Sequence, residues 1–458
     1  MTRSRIFSTA ALTAILAGTI SCITRNPDNA AGSPALPSWI ESDSAAAISA
    51  RIRADFSLTP EEALEAIRKD YPETSEDDIR RFIALGYMEA ETIDDTLRLH
   101  RKAIRNLKLL NPDMNGGARR RGDHASEARI AYVDSVIDFT EGRNPVGGAH
   151  EVTYSFTIEV PYDDALKGDS LRVWMPVPIE SARQSKPEIL STSHRPYILS
   201  TPEESVHSTI YFSAPAPKAP GDTARFEYTA RFITRGQYVS EKDILARIKD
   251  YDRTSDEYLR FTRPEAPHIV RLDSLAKAIV GEEKNPYHQS ELVFDYIIGR
   301  YPWAGAREYS TIPCIPEYVL REGHGDCGQV SLLYISLMRT LGVPARWESG
   351  WMLHPGEKNL HDWAEVYFEG VGWLPVDVSF GRYTTSSDPA VQGFYSHGID
   401  AHRFATNRGV CGALYPAKRY VRSETVDFQM GEVECSKGNL FYPGWNQTIK
   451  LIDVHPVK

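Results

Sequence analysis

The stretch "GHGDCGQVSLLYISLMRTLG", residues 323–342, decides the fold, because it places a cysteine between glycines just ahead of a long apolar pattern. Apolar residues recur at three- and four-residue spacing up to Leu341, and Gly342 ends the pattern, which predicts an amphipathic helix. Cys327 is then expected at the helix N-terminus, where unpaired N–H groups favour a negative charge. The position therefore predicts a thiol of lowered pKa, a thiolate at neutral pH and a nucleophile, rather than an inert buried cysteine.

A second stretch, "NLHDWAEVYFEGVGWLPVDVSFG" (359–381), predicts a β-hairpin. Polar and apolar residues alternate in its first half, "EGVG" is a turn, and "WLPVDVS" reads as the return strand. His361 and Asp377 lie 16 residues apart, on either side of that turn, so we expect them to be neighbours. The carboxylate would then orient one imidazole nitrogen and leave the other facing the thiol of Cys327.

Other residues compete for these roles. His324 is only three residues before the thiol in the same tight loop, and His354 lies in a probable loop between strands. Asp326 is expected to structure the loop, and Asp362 to face the side of the strand opposite His361. These positions make all four weaker candidates.

Three motifs in order, "GDCGQVSLLYISLMRTLGVPARWESGW", "HDWAEVYF" and "GWLPVDVSFG", closely resemble the transglutaminase-like superfamily over about Glu291 to Gly381. The resemblance implies a catalytic triad of Cys327, His361 and Asp377. It also implies an α+β, papain-like core in which the cysteine helix packs on an antiparallel sheet. Trp303 is a possible counterpart of the upstream aromatic residue that supplies an oxyanion donor in some members. No cofactor or metal is expected, since no acidic calcium loop is visible.

The N-terminus predicts export. Residues 1–21 combine a basic start with a short apolar run, as in a signal peptide. Cys22 at the cut resembles the lipidated cysteine of bacterial lipoproteins, and residues 22–44 form a polar tether. The expected location is the cell envelope, with a lipid anchor as the only membrane attachment. An ordinary signal peptide cut nearby is the alternative.

The rest of the chain divides by pattern. Residues 45–115 are expected to form a helical region, including one helix over 92–110, and residues 128–240 a β-sandwich-like domain. Residues 260–458 would form the catalytic domain, with strands from 438–454 closing its core.

Composition limits the classes of ligand and of cysteine chemistry to be expected. The formal net charge of −10 argues against nucleic acid. The cysteines form neither a disulfide framework nor a zinc set, and the sequence leaves open whether Cys411 and Cys435 pair.

The function predicted from these observations is cysteine-dependent hydrolysis of a peptide or isopeptide amide through a thioester intermediate. One alternative is acyl transfer to an amine, as in a protein-glutamine gamma-glutamyltransferase, and another is a non-enzymatic surface-binding lipoprotein. The substrate is expected to be a peptide or protein, while its identity and the oligomeric state do not follow from the sequence.

Overall fold

The structure, a computed structural model, describes residues 40–115, 121–122, 125–142, 144–200, 204–263 and 266–457. The predicted signal peptide, Cys22 and nearly all of the predicted tether lie outside the described residues.

Short helices and one hairpin make up the N-terminal region. Its elements are β1 (Ile40–Glu41), α1 (Ser44–Asp55), α2 (Pro60–Arg68), α3 (Glu76–Ala84), β2 (Ala90–Ile93), β3 (Thr96–Leu99), α4 (Ala103–Leu110), α5 (Pro112–Asn115) and α6 (Glu127–Thr140). A capping box begins α2, in which the Thr59 hydroxyl accepts the N–H of Glu62 and the Glu62 carboxylate accepts the N–H of Thr59.

The single helix expected over residues 92–110 is wrong in its first half. Asp94 and Asp95 adopt φ of 49° and 59° and form the two-residue turn between β2 and β3. Such hairpin turns need positive φ, which aspartate tolerates better than most residues. The local turn chemistry therefore overrides the helical periodicity until α4 begins at Ala103.

A β-rich segment follows, and two of its strands are long. They are β4 (Val146–Pro161), β5 (Ser170–Pro176), β6 (Glu188–Thr192), β7 (Ile198–Leu199), β8 (Thr209–Pro215) and β9 (Thr223–Tyr238). Strands β4 and β9 are each 16 residues long and pair in antiparallel register from Val146↔Gln237 to Pro161↔Thr223.

Helices then surround the segment that carries the motifs. They are α7 (Glu241–Arg247), α8 (Asp256–Thr262), α9 (Asp273–Val280), α10 (Pro286–Arg300), α11 (Ile315–Glu322) and α12 (Cys327–Thr340), followed by β10 (Ala345–Met352), β11 (Asn359–Phe368) and β12 (Gly372–Val376). The chain continues with α13 (Pro389–Gly393), β13 (Gly398–Ile399), β14 (Arg403–Asn407), β15 (Glu432–Glu434), β16 (Asn439–Leu440) and β17 (Asn446–Pro456).

The cysteine helix packs on an antiparallel sheet of order β12-β11-β10-β14. Helix α12 is buried around almost its whole circumference, because the sheet covers one side and α9, α10 and α11 cover the other. Apolar side chains of these elements share one core, to which α12 contributes Val330, Leu333 and Leu337, and β11 contributes Ala364 and Val366. This arrangement fixes the start of α12 against the sheet.

Two further antiparallel sheets pack against each other through a second core. One contains β13, β9, β4 and β17, with β6 on β9, and the other has the order β1-β16-β15-β5-β8-β7. Their inward apolar side chains include Val152, Tyr154, Phe156, Val173, Phe212, Phe226 and Val433. Late strands of the chain thus complete sheets that the middle segment begins.

The expectation that residues 438–454 close the catalytic core is therefore wrong. Strand β17 pairs with β4 from Asn446↔Glu159 to Pro456↔His150, and β16 pairs with β15 and β1. Ile449, Leu451 and Val454 pack on the second core. This apolar burial stabilises the pairing of β17 with β4 over a pairing with the sheet of β12, β11, β10 and β14.

Buried neutral histidines predict that the fold loses stability in mild acid. Burial is the main cause that lowers the pKa of His268, His324 and His402 to about 4. The folded pKa lies below the unfolded value of about 6.5, so the unfolded chain takes up protons first as the pH falls from about 6.5 to about 4. At pH 5 each such histidine costs about 2 kcal/mol of unfolding free energy.

The variant His324→Gln tests this, because it removes one of these groups. Its loss of unfolding free energy between pH 7 and pH 5, measured by urea denaturation, should be smaller than that of the wild type by about 2 kcal/mol. The exposed His455→Gln serves as control and should behave as wild type. An identical pH dependence in His324→Gln would contradict the assignment.

Candidate active site

Cys327 is the first residue of α12, as the sequence predicts. Asp326 caps the helix: its carboxylate accepts the N–H of Gln329 at 3.1 Å, and the Gln329 side chain accepts the N–H of Asp326 at 3.0 Å. The Tyr309 hydroxyl donates to Asp326 Oδ1 at 2.5 Å. The expected loop-structuring role of Asp326 is therefore a capping box, which fixes the position of the thiol.

The glycine after the thiol is required by close neighbours. A Cβ on Gly328 would lie 2.6 Å from Asp362 Oδ2 and 2.9 Å from the Trp347 ring, and closer still to the Tyr309 hydroxyl. The helix start therefore approaches β10 and β11 more closely than any other residue type allows.

His361 and Asp377 are in contact, as their spacing predicts. His361 Nε2 lies 2.7 Å from Asp377 Oδ2, and both side chains are buried. Asp377 follows β12 directly, and its backbone N–H donates to Tyr395 O at 2.8 Å. Because Nε2 is engaged by the carboxylate, Nδ1 is the nitrogen left for a reacting group.

Cys327 and His361 line one cleft of about 440 Å³. The thiol itself contacts a different residue, because Cys327 Sγ donates to Asp362 Oδ2 at 3.4 Å. Within the described residues there is no hydrogen bond between Sγ and the His361 ring. The predicted alternation of the strand is right, but the face that carries Asp362 is the one turned toward α12 and its thiol.

The expectation of a thiolate at neutral pH is wrong for this arrangement. Burial, followed by the carboxylates of Asp362 and Asp326, raises the pKa of Cys327 well above its ordinary value. A helix N-terminus contributes only about 0.3–1 kcal/mol, whereas one like charge within about 4–6 Å can shift a pKa by 1–3 units. The carboxylates therefore outweigh the helix.

A buried charge network behind Asp377 was missed by the sequence analysis. Arg403 Nη2 lies 3.4 Å from Asp377 Oδ2, and its Nη1 lies 3.1 Å from Asp400 Oδ2. Asp400 Oδ1 also lies 3.1 Å from Nε2 of His354. His354, dismissed as a loop residue, thus belongs to the support of the site. No sequence motif marks Arg403, which reaches Asp377 because β14 pairs with β10 in the sheet beneath α12.

The network sets the charge states of the pair. Burial would raise the pKa of Asp377, but His361 and Arg403 hold it below the ordinary value. Burial lowers the pKa of His361, and Asp377 offsets part of that effect. The pair therefore combines an ionised carboxylate with a neutral imidazole near pH 7, which can accept a proton.

The loop before the cysteine is held from an unexpected place. Arg121, which lies between α5 and α6, is buried and donates to Tyr301 O at 3.0 Å and to Gly325 O at 2.5 Å. The backbone of Trp303 forms a parallel β-bridge with that of Gly325, and Trp303 lines the cleft. Its role as an oxyanion donor stays a prediction. The rival His324 does not line the cleft and packs edge-on to Tyr318 instead.

The sequence left open whether Cys411 and Cys435 pair. In the part of the chain that the structure describes, Cys314, Cys327, Cys411 and Cys435 are all unpaired. The same residues contain no group of three or more His, Cys, Asp or Glu side chains arranged to hold a metal ion. None of the helices over the described ranges is long and apolar enough to cross a bilayer.

Residues 273–378 match the sequence profile of the transglutaminase-like superfamily. This part of the chain, which carries Cys327, His361 and Asp377, is therefore a transglutaminase-like domain.

Two curated bacterial proteins are similar to the chain. It is 26% identical to the uncharacterized protein YebA of Bacillus subtilis over 182 residues, which are 34% of this chain and 24% of that protein. It is 29% identical to an uncharacterized protein of Haemophilus influenzae over 171 residues, 31% of this chain and 42% of that protein. The matches thus span less than half of either relative.

Among solved structures, a candidate cysteine protease from Cytophaga hutchinsonii is similar. The identity is 16% and the TM-score 0.41, and the match covers 66% of this chain and 97% of that chain.

The contact between Asp362 and the thiol yields a test. Asp362→Asn keeps the shape of the side chain but removes the charge that raises the pKa of Cys327. The pH midpoint for alkylation of Cys327 by iodoacetamide, mapped by mass spectrometry, should therefore fall by about 1–3 pH units. Glu369→Gln, just after the far end of β11, should leave the midpoint unchanged. An unshifted midpoint in Asp362→Asn would show that this carboxylate does not control the thiol.

Proposed function

We propose that the protein is a cysteine-dependent amide hydrolase that acts on peptide or isopeptide bonds, with Cys327 as nucleophile, His361 as general base and acid, and Asp377 as the residue that orients His361. The observation that carries the proposal is the placement of a helix-start cysteine in the same cleft as an imidazole whose Nε2 is held by a buried carboxylate. The antiparallel sheet beneath the cysteine helix supports a papain-like arrangement.

In the proposed reaction the resting thiol passes its proton to Nδ1 of His361, and Sγ attacks the substrate carbonyl carbon. The developing oxyanion is stabilised by the first backbone N–H groups of α12, which have no partner within the helix. The C–N bond then breaks as the imidazolium protonates the leaving amine, which leaves a thioester on Cys327. Water attacks the thioester while His361 accepts its proton, and the acid and the thiol are released.

The raised pKa of the thiol is compatible with this sequence. A general base can remove the proton as the nucleophile attacks, so a stable thiolate in the resting protein is not required. Catalytic hydrogen bonds are often absent or long without substrate and form only in the complex. Rotation of the Cys327 side chain away from Asp362 would bring the proton to His361.

The proposal is tested by incubating the purified protein with a peptide library, with and without an added primary amine. New carboxyl termini in the products identify hydrolysis. Amine-linked products would instead favour acyl transfer, in which the amine replaces water at the thioester. No change in any peptide would favour a binding protein without enzymatic activity.

The roles of the three residues are tested with variants on a substrate from that library. Cys327→Ala should abolish turnover, and Asp377→Asn should reduce kcat by about 10³- to 10⁴-fold, because the imidazole is then held in the wrong tautomer. The exposed Asp134→Asn is the matched control and should turn over as wild type. All variants are first checked for an unchanged thermal midpoint.

Near-normal turnover by folded Asp377→Asn would show that another acidic residue orients His361. Glu365 is poorly placed for it, since its carboxylate accepts from Arg346 Nε at 2.6 Å.

The location is proposed separately: Cys22 is the first residue of the mature protein, carries lipid and anchors the chain in the cell envelope. The apolar run before it and the polar stretch after it support this. Cys22→Ala should move the protein from the membrane fraction to the soluble fraction, as followed by immunoblotting. Equal retention in the membrane fraction by the variant and the wild type would contradict lipid anchoring.

A further inference from the structure

Among the charged side chains that line the Cys327 cleft, most cations have an ion-pair partner and several carboxylates do not. Its cations are engaged: Arg101 pairs with Asp55 at 2.8 Å, and Arg307 pairs with Glu89 at 3.1 Å. Lys102 donates to a backbone carbonyl at 2.6 Å, and Arg129 is paired with Glu357 at 2.6 Å. Three of these four cations are thus paired with a carboxylate and Lys102 is not, so among the described residues the cleft offers little unpaired positive charge to a ligand.

Among the anionic side chains of the cleft, Asp427 has no hydrogen-bond or ion-pair partner for its carboxylate among the described residues. Its side chain lines the cleft and is only 7% exposed. Its carboxylate makes no hydrogen bond or ion pair with any residue that the structure describes. Arg422, a nearby cation, donates instead to the backbone carbonyls of Asp427 and Gly412 and contacts the ring of His207. Leaving a carboxylate buried in this way is costly unless a ligand satisfies it.

Two further carboxylates line the same cleft, and neither forms an ion pair with a cation among the described residues. Asp362 accepts from the Gln429 amide at 2.8 Å and from the Cys327 thiol at 3.4 Å, and both are neutral donors. Glu424 accepts a backbone N–H at 2.9 Å. Burial and the neighbouring carboxylates raise the pKa of Asp427 and Asp362 well above their ordinary values. Burial raises that of Glu424 to about 7.

We propose that Asp362, Glu424 and Asp427 form a subsite for a primary ammonium group of the substrate. The inference rests on the proposed amide hydrolysis and narrows it to substrates of the lysine or ornithine type, with the ammonium close to the scissile carbonyl. An ammonium carries three donors, so it can bind the Asp427 carboxylate and still donate to a second carboxylate or to a neutral acceptor. Because Asp362 touches the thiol, the bound ammonium lies within about one residue of the bond that Cys327 attacks. A metal ion is a poorer occupant, since the described carboxylates do not converge as a ligand set.

The subsite would also couple binding to chemistry. The carboxylates of Asp362 and Asp326 oppose ionisation of the thiol. An ammonium on Asp362 cancels part of that charge, so the substrate itself makes Cys327 easier to deprotonate. A substrate without the ammonium leaves the thiol in its resting state.

Matched substrates test the subsite. Nα-acetyl-lysine p-nitroanilide and Nα-acetyl-norleucine p-nitroanilide have side chains of similar length and differ in the ammonium. We expect the full-length wild-type protein to give a kcat/KM about 10- to 100-fold higher for the lysine compound. Asp427→Asn should lose most of this preference, so that its kcat/KM values for the two compounds become similar. Asp453→Asn, an exposed carboxylate on β17, should keep the preference.

A binding experiment separates failure of the subsite from failure of the proposed function. Calorimetry with Cys327→Ala compares Nα-acetyl-lysine methylamide with Nα-acetyl-norleucine methylamide, and the lysine compound should bind at least about tenfold more tightly. That preference, lost on adding Asp427→Asn, supports the subsite even if the wild type cleaves no amide. Equal affinities, or an Asp427→Asn variant that weakens both compounds equally, would overturn it.

Discussion

The capping of α12 by Asp326 is the contact on which the site depends. Its carboxylate accepts the N–H of Gln329 and the hydroxyl of Tyr309 and thereby sets where Cys327 lies. The same charge lies beside the thiol and helps to raise its pKa. Position and ionisation are thus opposed here: the carboxylate that places the Cys327 thiol also disfavours its ionisation.

The second half of the site is supported by strands that are distant in sequence. Arg403 lies on β14 and joins Asp377 to Asp400, so the orientation of His361 depends on β14 being paired with β10. Arg403 also lies over the Phe380 ring at 4.0 Å. A buried cation shared by two carboxylates tolerates little displacement, because loss of either contact would leave a charge unpaired. The sheet therefore supports the geometry of the His361–Asp377 pair through electrostatics as well as through backbone pairing.

The sequence predicts the local parts of this structure well and the long-range parts poorly. The start of α12 and the His361–Asp377 contact follow from helical spacing and from a hairpin, which are local patterns. Arg403 and the pairing of β17 with β4 do not, because no periodicity encodes which distant strand a segment will join. The raised pKa of Cys327 was not predicted for a related reason. The alternation of side chains along β11 was predicted correctly, but the sequence does not show which face of the strand α12 covers.

The N-terminal helical region gives the cleft its charge asymmetry. It brings Arg101 and Lys102 to the cleft, yet it also supplies Asp55 and Glu89, which pair with cations there. It supplies no such cation partner for Asp427. If the proposed ammonium subsite exists, a region that pairs with the cations and leaves a buried carboxylate unpaired contributes to the choice of substrate without adding a side chain to the proposed triad. In this view the helical region acts on specificity, because it determines which charges remain for a substrate to satisfy.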